Sequence, residues 1–172
     1  MKILILGDGG HGKDTAAAML EASTGWSFMS SSCFCAKHVV FPVLAELYDY
    51  QSVQECYDDR RNHREQWHLL IAGYNNADPS RLAREILVSS DIYVGMRAAR
   101  EVEACFRAKL FDLIYWVDAY PRVGRESTKS MSINLDWVVT HPDRNAPVRV
   151  LNNSGPEMEE GDVYDVRSNP SK

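Results

Sequence analysis

No apolar run in this 172-residue chain is long enough to cross a bilayer. The first one, Ile3-Leu4-Ile5-Leu6, stops at Gly7. It reads as a buried strand rather than a secretory leader, and a cytoplasmic location with no membrane partner follows as an expectation. Cysteine is sparse: Cys33, Cys35, Cys56 and Cys105 match no zinc spacing, and Cys33-x-Cys35 lacks a second pair. Without export these read as reduced thiols, with Cys105 in a core-like helical pattern and no base evident to make Cys33 or Cys35 a nucleophile. A surplus of positive charge is lacking too, since 19 Lys and Arg face 24 Asp and Glu for a net charge of −5. That argues against a nonspecific nucleic-acid coat and leaves room for a local basic cleft. No internal repeat or linker divides the chain. One domain over 1–168 with a frayed tail at 169–172 is expected.

What the chain does have is a glycine-rich turn in a telling place. The apolar run feeds Gly7-Asp8-Gly9-Gly10-His11-Gly12-Lys13-Asp14-Thr15, and Ala16-Ala17-Ala18-Met19-Leu20-Glu21 follows as helix formers. Strand, glycine loop and helix in that order make a phosphate cradle: glycine lets backbone N–H groups turn inward, and the helix adds its positive end. The spacing G-x-x-x-x-G-K fits, with Asp14 in the usual Ser/Thr position and Thr15 one residue late. His11 reads as exposed and as a phosphate contact rather than a structural residue.

Elements then alternate. Strands are expected at 2–6, 26–35, 91–95, 113–118, 137–139 and 148–151, and helices at 13–22, 41–48, 60–73, 82–89 and 97–109. Residues 121–131 read as a basic loop. The alternation implies a three-layer α/β fold with a mostly parallel sheet, whose ligands bind at the carboxyl ends of the strands.

Polar clusters fall near those ends. Asp58-Asp59-Arg60-Arg61-Asn62-His63-Arg64-Glu65 reads alone as a charged, solvated helix face. Downstream of a phosphate loop it reads equally as a substrate-phosphate site, with Asp59, Arg60 and His63 on about one helical turn. Arg97, Arg100 and Glu101 follow a strand. Arg97 at a helix start suggests a nearby anion, or else a surface pair with Glu101. Arg122, Arg125 and Lys129 suit either a closing cationic lid or an ordinary exposed loop. For Mg²⁺, which takes oxygen ligands, Thr15 and Asp14 are the nearest candidates, with Asp118 placed to act through water. Tyr48, Tyr50, Trp67 and Tyr74 are candidate stacking residues, although aromatics at helical spacing are more often core.

In this order the pieces resemble the bacteriophage deoxynucleoside monophosphate kinases of the P-loop kinase superfamily. The matching residues are the first strand with Gly12-Lys13-Asp14-Thr15, then Ile92-Tyr93-Val94-Gly95-Met96-Arg97-x-x-x-Glu101, Leu113–Asp118 with its basic loop, and Asp136–Val139 through Leu151–Gly155. Asp59-Arg60-x-x-His63 is similar to the Asp-Arg-x-x-His element of thymidylate kinases, whose arginine meets the substrate phosphate.

The resemblance implies the P-loop NTPase, nucleotide-kinase fold, ATP·Mg²⁺ as donor and a deoxynucleotide as acceptor. It implies donor binding by Gly7, Asp8, Gly9, Gly10, His11, Gly12, Lys13, Asp14 and Thr15, with Thr15 and Asp14 toward Mg²⁺. It implies catalysis by Lys13, Asp14, Arg122 and Arg125, and acceptor binding by Arg60, His63, Arg97 and Glu101. The region 36–90 would bind the acceptor, and 119–132 would form the lid. Related kinases often carry an acid where this chain has Gly95, so Asp14, Asp91 or Asp118 must substitute, or Mg²⁺ is held through water. Kinases that phosphorylate 5-hydroxymethyluracil within phage DNA are similar as well. The compact length favours them, and the acidic balance favours a free nucleotide. A nucleotide-binding protein without transfer is a third reading, and a GTPase is disfavoured by the lack of an Asn-Lys-x-Asp element. The oligomeric state stays open, a homodimer included.

Overall fold

A computed structural model of the chain describes residues 1–120, 122–124 and 131–166. The first strand, β1 (Ile3–Leu6), leads through the glycine loop into α1 (Lys13–Thr24), which ends on Gly25 in the left-handed conformation. A short β2 (Phe28–Ser30) runs directly into α2 (Ser31–Cys35), a π turn at Ala36–Val40, and α3 (Phe41–Tyr48). The extended strand expected over 26–35 is thus corrected after Ser30. The Ser30 side chain accepts the Cys33 N–H and caps a helix there.

The expected helix over 60–73 is also corrected. After α4 (Val53–Asp58), the span is two pieces, a 3₁₀ turn at Asp59–Arg61 and α5 (Arg64–Tyr74), broken at Asn62 and His63. Next come α6 (Arg81–Ser89), β3 (Ile92–Val94), α7 (Ala99–Arg107) and β4 (Leu113–Asp118). Residues 137–139, expected as a strand, lie in α8 (Leu135–Thr140). Asn134 accepts the Trp137 N–H at 2.8 Å, and this cap outweighs the strand preference of Val138 and Val139. The chain closes with β5 (Val148–Asn152) and β6 (Glu159–Tyr164).

The six strands form one sheet in the order β2-β3-β1-β4-β5-β6, with β6 alone antiparallel. Ile3 registers against both Ile92 and Leu113, and Ile114 against Val148. Alternation sends Leu4, Leu6, Tyr93, Ile114 and Trp116 to one face, under a cluster that includes Leu44, Trp67, Ile86, Phe106 and Val138. Ile3, Ile5, Ile92, Val94 and Val117 go to the other face, against Ala16 and Ala17 of α1. The result is helix, sheet, helix: an α/β fold with a mostly parallel sheet. Leu4, Ile5 and Leu6 are wholly buried, each contributing about 2 kcal/mol. Among the described residues, no helix is long and apolar enough to cross a membrane.

The carboxyl ends of the parallel strands share one edge. The connection from β1 leaves toward β2, while that from β4 leaves toward β5, so the chain parts on either side of β1 and β4. A crevice at such a point is where open α/β sheets hold ligands, and the glycine loop lies there.

Candidate functional site

The glycine loop is pinned from three sides. At Gly7, with φ +140°, an added Cβ would lie 2.4 Å from the Val117 carbonyl oxygen, so β1 and β4 approach too closely there for any side chain. Lys13 folds back over the loop, its Nζ donating to the carbonyls of Gly7 at 2.8 Å and Asp8 at 2.6 Å. Asn153, just past β5, donates from Nδ2 to the His11 carbonyl at 2.9 Å.

His11 departs from expectation, since it is 1% exposed. The Ala119 N–H donates to its Nδ1 at 3.0 Å, so the ring proton sits on Nε2, which donates to the Gly124 carbonyl at 2.7 Å. The expected phosphate contact is therefore corrected to a structural bridge between the loop and the chain after β4. A short ring directed inward satisfies two backbone groups that a buried loop must satisfy somehow.

A cleft of about 640 Å³ opens beside the loop. Gly9, Gly10, Lys13 and Asp14 line it, together with Arg60, Arg61, Arg64, Arg97 and Arg100, all within a protein of net negative charge. Among the described residues, six cationic side chains and two carboxylates, Asp14 and Glu101, line it. The arginines come from the turn before α5, the start of α5, the link between β3 and α7, and the start of α7, so the fold concentrates them from separate stretches.

Asp59 sets the turn that carries Arg60 and Arg61. Its carboxylate accepts from the Tyr50 hydroxyl at 2.5 Å and from Asn62 Nδ2 at 2.5 Å, with His63 Nε2 at 3.0 Å. The Tyr50 and Asn62 bonds, with His63 adding less, hold this carboxyl below the usual carboxylate range. His63 packs its ring on Tyr48, centroids 3.8 Å apart, and does not line the cleft. Its position is that of a brace for the turn. Arg60 donates to the Tyr57 carbonyl at 2.8 Å and lies over the Tyr57 ring at 3.9 Å.

Arg97 does not open a helix. It lies in the link to α7, whose N-cap is Ala98, and its carbonyl accepts from the Ser132 N–H at 3.1 Å. Glu101 accepts from Asn75 Nδ2 at 2.8 Å. Burial pushes the Glu101 carboxyl up, against the pull of the Asn75 bond, His68 and Arg100. Cys35 also lines the cleft, but burial and then Glu101 push its thiol up to about 12, so it is no ready nucleophile.

Other expected residues lie elsewhere. Thr15 is exposed and outside the cleft lining. Arg122 is exposed and donates from Nε to the Asn153 carbonyl at 3.1 Å. Arg125 and Lys129, half of the expected lid and the tail at 169–172 lie outside the described residues. Of the three carboxylates weighed against Gly95, only Asp14 lines the cleft. Asp91 precedes β3, at the sheet's opposite edge, 3.5 Å from Lys2 Nζ. Asp118 accepts the Tyr120 N–H at 2.8 Å, near His11. Of the four candidate aromatics, only Trp67 lines the cleft.

Ser31, His68 and Asn75 line it without belonging to any motif. Arg64, Trp67, His68, Ile71 and Asn75 recur every three or four residues, and that spacing was the available signal for one wetted wall. No family model matches this chain, and no curated protein matches it.

Proposed function

We propose that the protein is an ATP-dependent phosphotransferase of the P-loop kinase kind whose acceptor is a deoxynucleotide. The observation that carries this is the meeting of Lys13 and the glycine loop with five arginines along one cleft. A single phosphate needs one or two such cations, whereas a donor triphosphate beside an acceptor phosphate needs several.

In this reading the loop amides and the N-terminus of α1 hold the donor phosphates. Lys13 exchanges two carbonyl partners for phosphate oxygens. Asp14 is the oxygen ligand in the cleft lining that suits Mg²⁺, which when bound would neutralise charge on the donor phosphates. Arg60 and Arg97 hold the acceptor so that its oxygen stands in line with the γ-phosphorus. A lone pair on that oxygen forms the new P–O bond as the bond to the β-phosphate oxygen breaks, and ADP leaves with that pair. A phosphate acceptor arrives ionised and needs no base. A hydroxyl acceptor would need one, and Asp14 and Glu101 are the carboxylates that line the cleft. A catalytic role for Arg122 requires it to exchange the Asn153 carbonyl for a phosphate oxygen, and Arg122→Ala tests this by its effect on kcat.

The deciding experiment measures ADP release from ATP·Mg²⁺ with each deoxynucleoside monophosphate, then with DNA containing 5-hydroxymethyluracil. Release that depends on a monophosphate, and that falls about a hundred-fold or more in Lys13→Ala, is the expected result. Release with the DNA alone would move the acceptor to the modified base. Nucleotide binding with no transfer to either would leave a nucleotide-binding protein and remove the kinase reading.

A further inference from the structure

We propose that Asn75, Glu101 and Trp67 recognise the hydrogen-bonding edge of the acceptor's heterocyclic base, a role that rests on the phosphotransferase reading above. Asn75 is 4% exposed and its amide is locked. Its Oδ1 accepts the Leu82 N–H at 3.2 Å, and its Nδ2 donates to Glu101 Oε1 at 2.8 Å. One Nδ2 hydrogen and one carboxyl oxygen remain. Among the described residues neither side chain has a further hydrogen-bond partner. A donor and an acceptor therefore stand side by side with their orientation set in advance.

Trp67 adds an independent sign. It is 6% exposed, lines the same cleft, and its buried Nε1–H has no hydrogen-bond partner among the described residues. Folded proteins seldom strand a buried donor, and such exceptions call for an explanation. A ligand acceptor supplies one here.

The surroundings fit a flat ring with a polar rim. Ile71, Leu82 and Met96 provide apolar wall, and Arg97 lines the same cleft as Glu101, so one nucleotide has a phosphate partner and a base partner there. His68 and Arg100 face Glu101 electrostatically and draw it toward the charged, accepting form, while burial favours the protonated, donating one. Every base carries a donor beside an acceptor on its edge, so Asn75 and Glu101 alone pair with any of the four. The Trp67 N–H adds the discrimination by favouring an edge with a second acceptor, as the pyrimidines carry. A mismatched edge leaves a buried polar group unpaired, which is the strongest form of discrimination available to a pocket.

Calorimetric titration of the full chain with each of the four deoxynucleoside monophosphates tests this. One base class is expected to bind at least about ten-fold tighter than the others. Glu101→Gln should collapse or invert that ratio while ATP binding persists. Trp67→Phe keeps the ring, removes only the N–H, and should weaken the preferred monophosphate by about ten-fold. Equal binding of all four by the unaltered protein, or an unchanged ratio in Glu101→Gln, overturns the inference. If Glu101→Gln does not fold, Trp67→Phe decides: unchanged affinity overturns it. Transfer without base preference would overturn this inference and leave the kinase reading standing. Base-selective binding without transfer would do the reverse.

Discussion

His11 joins the Ala119 amide and the Gly124 carbonyl through one buried ring, so a single side chain ties the glycine loop to the segment after β4. His11→Ala should cost about 2–3 kcal/mol in chemical denaturation, because two buried backbone groups lose their partners. Hydrogen exchange at the Ala119 amide should speed up with it. Gly95 makes the opposite point about residue type. Its φ is +96°, and an added Cβ would meet the Ser31 hydroxyl at 3.1 Å. Gly95→Asp, which places an acid just after β3, should therefore destabilise the fold by about 1–2 kcal/mol and give no gain in turnover in the proposed reaction. Glu101 ties stability to pH. Its folded carboxyl holds a proton more tightly than the ordinary value of 4.5, so stability falls as pH rises from there to the raised folded value, then levels. Glutamine does not titrate. Urea melts across pH should show Glu101→Gln gaining on the unaltered protein over that interval and running parallel above it.

At the scale of elements, the arm from α4 to α5 is the part that sequence periodicity describes least well. A regular helix over 60–73 would have carried Arg60 and His63 on one face. Asp59 instead gathers Tyr50, Asn62 and His63, closes a 3₁₀ turn, and leaves Arg60 and Arg61 to the cleft. Because these partners lower the Asp59 pKa, their stabilisation is present above its unfolded value of 3.8 and lost as pH falls through the folded one. Asp59→Asn should thus be less stable at pH 7 and approach the unaltered protein as pH falls from 3.8 through the lowered folded value. In the proposed reaction it should raise KM for the acceptor more than it lowers kcat, since the turn positions Arg60 without touching the reacting atoms. A further link in the arm is the Tyr74 hydroxyl to Glu85, with Arg81 stacked on the Tyr74 ring, which helps fasten α5 to α6.

At the scale of the molecule, the last strand hangs on Arg144. This arginine is 8% exposed, and its guanidinium donates to the carbonyls of Val139, Ala146, Tyr164 and Asp165. It joins the end of α8 to the antiparallel edge formed by β6, far from any motif. Arg144→Ala should lower stability by about 2–3 kcal/mol in urea denaturation, the cost of stranding buried carbonyls. β6 itself carried little signal. Glu159, Glu160 and Asp162 mark an exposed edge, and such charge suits a strand that must not pair with another chain.

The alternation of apolar strands with helices, the glycine loop and the strand at 113–118 were legible in the chain, because periodicity and glycine act over a few neighbouring residues. At two of the places where the structure departs from that reading, a single capping bond decided. Ser30 turned a strand into a helix, and Asn134 turned Trp137–Val139 into one. The candidate site was half legible: Lys13, Asp14, Arg60, Arg97 and Glu101 were named from sequence and line one cleft. Asn75, His68 and the stranded Trp67 donor carried no motif, and His63 and Arg122 lie outside that cleft. The sequence by itself determined the loop and the set of cations. Only the tertiary structure decided which cations share a cleft and which polar groups are buried without partners, because both depend on contacts between residues distant in the chain.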